Sequence, residues 1–172
     1  MKFTLKTTIL LSLMFFSLIL TNGCTNKETL NAHSINTPNP WTNCNQDLSC
    51  AAKIAGFKFP IKITDIQISA MKGMIEINYP LDKSRTVTIR KTTEENYNKF
   101  DISGDYNNYP IRDSLKLDNG VELTVRRDNK LIYVAYLGAE AGFYSINCPK
   151  GLTKQEIQNI YDIIAKAESN KF

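Results

Sequence analysis

Asp65–Arg90 reads DIQISAMKGMIEINYPLDKSRTVTIR, and its period is two. Ile66, Ile68 and Ala70 alternate with Asp65, Gln67 and Ser69. Ile75, Ile77 and Tyr79 alternate with Glu76 and Asn78, and Val87 and Ile89 alternate with Thr86, Thr88 and Arg90. Successive side chains of a strand point to opposite faces, so alternation of this kind marks strands with one face on a core and one in water. Lys72-Gly73 and Asp82-Lys83-Ser84 are turn-forming breaks, and Pro80 ends the middle strand because it cannot donate to a ladder. Three strands joined by short turns are an antiparallel meander.

Downstream the pattern resumes. Leu115 and Leu117 lead into Asp118-Asn119-Gly120, then Val121, Leu123 and Val125. An Asx-Gly turn between alternating runs is a strong hairpin signal. Arg127–Lys130 turns into LIYVAYLG, and Gly138–Gly142 turns into FYSIN. Helices flank the strands. In DLSCAAKIA, Leu48, Ala51, Ala52 and Ala55 share one face, with Asp47 as N-cap and Gly56 as the left-handed terminator. Near the end, Thr153 and Glu156 spell a capping box, Leu152 and Ile157 can form its hydrophobic staple, and Ile157, Ile160, Tyr161 and Ile164 make an apolar stripe. Lys154, Gln155, Gln158, Asn159 and Asp162 lie on the opposite face. The expectation is an α+β domain: a twisted antiparallel sheet of about seven strands, meander-like, with an N-terminal and a C-terminal helix packed on one face. A closed barrel suits two amphipathic helices less well. Trp41, the sole tryptophan, is expected as a core anchor, and Arg90, Lys91, Arg126 and Arg127 as a solvated strand face.

The start of the chain has another character. Lys2 and Lys6 precede TTILLSLMFFSLIL, residues 7–20. That run is short for a membrane span of about 20 residues and right for the apolar region of a signal peptide. Thr21-Asn22-Gly23-Cys24 is similar to a lipobox, with Gly23 small before the cysteine, although Thr21 and Asn22 depart from the usual residues. The polar stretch after it, Thr25–Pro40, has no apolar period and reads as a tether. The expected organisation is a signal peptide over 1–23, a lipidated N-terminus and flexible tether over 24–38, and a single domain over 39–170. Cys24 is then the lipidation site, carrying palmitate-type acyl chains into the lipid bilayer. The domain is placed on the extracytoplasmic face of the cell membrane.

Removing Lys2 and Lys6 leaves 19 basic against 17 acidic residues, a net charge of +2. The mature part is nearly neutral and its charges are interleaved, so nucleic acid is not an expected partner. With Cys24 acylated, Cys44, Cys50 and Cys148 remain in a disulfide-permissive compartment, and an odd count leaves one thiol over. Cys44–Cys148 is the favoured pair because it would join the two ends of the domain. Its loop of about 100 residues is worth up to about 4.7 kcal/mol in the chain-entropy model. Cys50–Cys148 is next, and Cys44–Cys50 would constrain little.

Chemistry is harder to find. The sequence has no Gly-rich phosphate loop, no H-E-x-x-H and no G-x-S-x-G. Its one histidine, His33, falls in the tether, so triad and Cys-His catalysis have no base. A carboxylate pair is the remaining acid–base option. No metal site and no cofactor are expected. The segment 92–111, TTEENYNKFDISGDYNNYPI, interrupts the strands, and long loops on a rigid sheet are where binding tends to reside. Asp101, Asp105, Tyr106 and Tyr109 are its candidate binding residues. The Asp101–Asp105 spacing does not match a calcium loop.

Several motifs resemble an uncharacterised family of small Gram-positive bacterial lipoproteins. These are NPW-x-x-C at Asn39–Cys44, A-A-x-x-A-G-F at Ala51–Phe57 and M-K-G-M-I-E-x-x-Y-P at Met71–Pro80. Further along come T-V-T-I-R-K at Thr86–Lys91, D-I-S-G-D-Y at Asp101–Tyr106, L-D-N-G-V-E-x-T-V-R at Leu117–Arg126 and C-P-x-G-L at Cys148–Leu152. The resemblance runs from Asn39 to about Ala167. It also extends to a broader domain of unknown function found in lipoproteins and in ectodomains attached to anti-sigma factors. It implies a single exported α+β domain and favours Cys44 and Cys148 as the framework pair, with Cys50 peculiar to this chain. It brings no catalytic residues. The functional expectation is a monomeric, membrane-anchored binding or accessory module at the cell envelope, contacting an envelope protein or wall polymer, and not an enzyme. The alternatives are a cell-wall-directed enzyme using a carboxylate pair and a sensor-type ectodomain.

Overall fold

The alternating run becomes three neighbouring strands in the computed structural model, which describes residues 39–139 and 142–169. The elements in chain order are β1 (Thr42–Asn45), α1 (Leu48–Ala55), β2 (Gln67–Met71), β3 (Met74–Pro80), β4 (Thr86–Thr92), α2 (Glu94–Lys99), β5 (Ile111–Lys116), β6 (Glu122–Arg127), β7 (Ile132–Ala139), β8 (Gly142–Leu152) and α3 (Lys154–Ser169). The strands form one antiparallel sheet in the order β1-β2-β3-β4-β8-β7-β6-β5. It consists of two four-stranded meanders joined where β4 pairs with β8, and β1 and β5 are its open edges.

The sheet has eight strands rather than seven. The additional one is β1, whose TNCN buries only Cys44, so no alternation betrays it. It also means that α1 follows a strand instead of opening the domain. A third helix, α2, lies inside the segment expected to be irregular. Thr93 caps it, Glu94 and Glu95 sit at its positive end and Lys99 at its negative end. None of its residues is buried, so a search for an apolar stripe passes over it.

Burial follows the pleat. Ile68, Ile75, Ile77, Val87, Ile89, Val125, Ala135, Tyr144, Ile146 and Cys148 belong to one apolar cluster, together with Ala51 and Ala55 of α1 and Ile157, Ile160 and Ile164 of α3. The caps are as the sequence spells them. Asp47 accepts from the amides of Ser49 and Cys50, and Gly56 closes α1 at φ 85°. The Thr153 amide donates to Glu156 at 2.9 Å while the Glu156 amide donates to the Thr153 hydroxyl at 3.2 Å. Arg85 adds a tie from the β3–β4 turn to the same Glu156, at 2.6 Å.

Three placements differ from expectation for reasons of tertiary structure. The disulfide joins Cys44 to Cys50, with Cα atoms 5.8 Å apart, and Cys148 is a buried free thiol. Cys44 and Cys148 cannot pair, because β2, β3 and β4 lie between their strands. Four strand spacings amount to about 19 Å, against a bridging limit near 7 Å. Gln158, assigned to the solvent face of α3, is buried and accepts from the Asp118 amide at 2.9 Å, tying the helix to the β5–β6 turn. Lys91 is no solvated strand residue. It faces the core, pairs with Glu168 of α3 at 2.5 Å and donates to the Lys58 carbonyl at 3.0 Å. Phe57, Phe59 and Tyr144 surround its ammonium group with their rings.

Candidate functional site

The second face of the sheet carries the side chains that alternate with the core. Register aligns Arg90 with Ser145, Ser145 with Tyr136, Tyr136 with Thr124, and Thr124 with Ser114. The chain must travel from β4, in the middle of the sheet, to β5 at its far edge. It does so through residues 93–110, which cross this polar face as a roof. Two of the candidate residues hold the roof down.

Asp101 accepts on one oxygen from the Ser103 hydroxyl (2.6 Å), the Ser103 amide (3.1 Å) and the Tyr136 hydroxyl (2.8 Å), and on the other from Arg126 (2.7 Å). Asp105 accepts from the Asn107 amide and side chain on one oxygen, each at 2.9 Å. Its other oxygen accepts from Tyr109 (2.7 Å) and Asn147 (2.9 Å). A carboxylate has about four lone-pair sites, and each of these accepts four hydrogen bonds. The Ile102 carbonyl between them accepts from Arg90 at 2.9 Å and Ser145 at 3.3 Å. Among the described residues no buried side-chain polar atom is left without a partner.

The electrostatics agree with a holding role. Burial works against the charge of Asp101, but Ser103, Tyr136 and Arg126 outweigh it and hold the carboxyl below the usual range. Burial likewise opposes the charge of Asp105, and Tyr109, Asn107 and Asn147 bring it down. Burial, reinforced by the neighbouring carboxylate, pushes Tyr109 up to about 12. Burial takes Tyr136 to about 12 as well. Gly104 sits between the two aspartates at φ +66°, and a Cβ there would stand 2.3 Å from the Arg90 guanidinium. Only glycine meets both demands.

The four candidates therefore divide. Asp101, Asp105 and Tyr109 are drawn into one network, with Tyr109 also stacked on Tyr133 at 4.5 Å. Tyr106 is not, and stands 84% exposed. Arg90 and Arg126, expected in solvent, are pillars of the roof. Arg90 pairs with Glu76 at 2.7 Å and lies 5.3 Å above the ring of Trp41. Trp41 is consequently a half-buried partner on the polar side, not a core anchor. Ser145, Asn147 and Tyr136 were missed. Ser145 and Asn147 alternate with Tyr144, Ile146 and Cys148 in β8, which names their face but not what covers it, whereas β7, with adjacent Val134 and Ala135 both buried, carries no such signal for Tyr136.

Two clefts open at the margins of the roof. One, of about 320 Å³, has Phe100 and Asp101 on its wall and Arg112, Thr124, Arg126 and Tyr136 on its floor. The other, of about 340 Å³, lies by Tyr106, Asn107, Glu76, Thr88 and Pro149. Each is bordered by an exposed aromatic of the crossover, Phe100 at 62% and Tyr106 at 84%. Among the described residues there is no group of three or more His, Cys, Asp or Glu placed to hold a metal, and no helix is long and apolar enough to cross a membrane. The segment expected to be a signal peptide, residues 1–23, lies outside the described residues, as do Cys24 and His33. Comparison with protein-family models, with curated proteins and with solved structures finds no match to this chain.

Proposed function

We propose that this is an exported, lipid-anchored α+β domain that acts by binding, and that its recognition surface is the crossover roof with its two clefts. The observation that carries the reading is the position of Phe100 and Tyr106. They are the large hydrophobic side chains left exposed among the described residues, both lie on residues 93–110, and each borders a cleft. Exposed aromatics beside polar groups on a rigid sheet are the usual makings of a recognition surface. The Cys44–Cys50 disulfide fits an oxidising compartment, in keeping with export and an anchor at Cys24. The resemblance to small lipoproteins points the same way.

An enzyme working through a carboxylate pair is supported less. A general acid needs a raised carboxyl pKa, whereas Asp101 and Asp105 are shifted down and fully hydrogen-bonded. The test uses the full-length protein to capture material from envelope extracts and to co-sediment with purified wall polymer, alongside a Phe100→Ala/Tyr106→Ala variant. The expected result is a specific partner or polymer retained by the parent and lost by the variant. Identical profiles would overturn the surface. Mass spectrometry of the native N-terminus tests the anchor, for which diacylated Cys24 is expected and an unacylated terminus would end that part of the reading.

A further inference from the structure

The chain has five arginines. Arg85, Arg90, Arg126 and Arg127 each pair with a carboxylate. The Arg112 guanidinium has neither an ion-pair nor a hydrogen-bond partner among the described residues, and the residue lies directly opposite Arg126 across the β5–β6 pair. Like charges in that position destabilise a strand pair. Arg126 is relieved by Asp101, which leaves the charge of Arg112 as the excess on the cleft floor. Arg126 spends two nitrogens on Asp101 and the Asp105 carbonyl, and its Nε makes no hydrogen bond among the described residues. The open side of this pair faces a space of about 320 Å³, at the small end of ligand sites, walled by the exposed ring of Phe100.

Resting on the binding reading above, we infer that this cleft binds an anionic group, phosphate or carboxylate, carried on a small ring such as a sugar. The planar fork of Arg112 is suited to two parallel bonds to an oxyanion. The anion would offset the charge that faces Arg126, and the ring would lie against Phe100. The same chemistry belongs to free sugar phosphates and to anionic wall polymers.

The test is side-chain and amide NMR on the full-length protein in a zwitterionic detergent, titrated with glucose 6-phosphate, inorganic phosphate and glucose. Wall polymer is scored in parallel by co-sedimentation, which separates the polymeric source from the free one. Saturable shifts at the Arg112 Nε and the Thr124 amide are expected with both phosphates, stronger with the sugar phosphate and absent with glucose. Arg112→Gln is expected to weaken binding about tenfold or more, the scale of a lost charge-assisted pair. Lys130→Gln, on an exposed turn, should change nothing, and Phe100→Ala should weaken the sugar phosphate alone. Absence of saturation with both phosphates, or equal affinity in Arg112→Gln, would overturn the anion site. Equal sugar-phosphate affinity in Phe100→Ala would overturn the ring contact. If the anion site fails while the Phe100→Ala/Tyr106→Ala variant still loses its envelope partner, the broader binding surface stands. Loss of that surface with anion binding intact is the opposite outcome.

Discussion

Asp105 shows how much of the roof rests on single side chains. It is nearly buried, yet ionised, because Tyr109, Asn147 and Asn107 point donors at it. Truncation to alanine leaves the Tyr109 hydroxyl and the Asn147 amide without an acceptor in a covered place. A loss of about 3 kcal/mol is expected at pH 7, read as a lower urea midpoint. The pH dependence follows from the direction of the shifts. Asp101 and Asp105 are both depressed in the folded state. Their contribution is therefore complete above the unfolded value near 3.9 and disappears as pH falls through the lower folded values. Urea midpoints should hold from neutral pH down to about pH 5 and then fall. Asp105→Asn should begin lower and fall less, and an equal acid slope in parent and variant would refute the assignment. At the alkaline end the sign reverses. Tyr109 and Tyr136, held near 12, stabilise the fold below about pH 10, and that support is lost toward 12.

At the scale of elements, β8 and α1 divide the cysteines between them. Cys50 lies in the first turn of α1, next to β1 and Cys44, whereas Cys148 points from the centre of the sheet into the core. The native bond closes a loop of only a few residues, so its removal should cost little more than about 2 kcal/mol in the chain-entropy model. Peptide mapping without reduction should recover Cys44 linked to Cys50. Cys148 should resist iodoacetamide in the folded protein and react once urea unfolds it, since its side chain has no exposure. Ready alkylation of Cys148 under native conditions would contradict the placement of β8. The roof is the complementary case. Its helix buries nothing, and it is secured by side chains from β4, β6, β7 and β8. Its order is thus borrowed from the sheet beneath it.

In the whole molecule, the β4–β8 seam holds the two meanders together, and Lys91 and Glu168 sit across it from each other, on β4 and on the end of α3. Tyr144 of β8 also donates to Glu168, so the seam and the last helix share one carboxylate. Removing one member of a buried pair strands the other charge, and Glu168→Ala should cost about 3 kcal/mol. Replacing both, as Lys91→Met with Glu168→Leu, should recover much of that, because an apolar pair of similar volume avoids the desolvation cost. Urea titration of the two singles and the double provides the cycle. Additive losses would show that the residues do not act as a pair.

The local grammar of this protein was legible without coordinates. Alternation identified β2, β3, β4 and the β5–β6 hairpin, turn signals marked β7 and β8, Asp47 and Gly56 bounded α1, and Thr153–Glu156 opened α3. Each of these signals arises from residues within a turn or a few positions of one another, so each is complete in the chain itself. Asp101, Asp105 and Tyr109 also stood out as an unusual loop. The tertiary structure alone decided the neighbour order of the strands. That order keeps Cys44 from Cys148, buries Lys91 and lays residues 93–110 across the polar face. It also leaves Arg112 opposite Arg126 beside an exposed Phe100. The physical reason is that side-chain period reports which face a residue occupies, while pairing across a sheet depends on partners as distant in sequence as Thr88 and Asn147, which are 59 residues apart. Nothing in a two-residue period says which strand comes next.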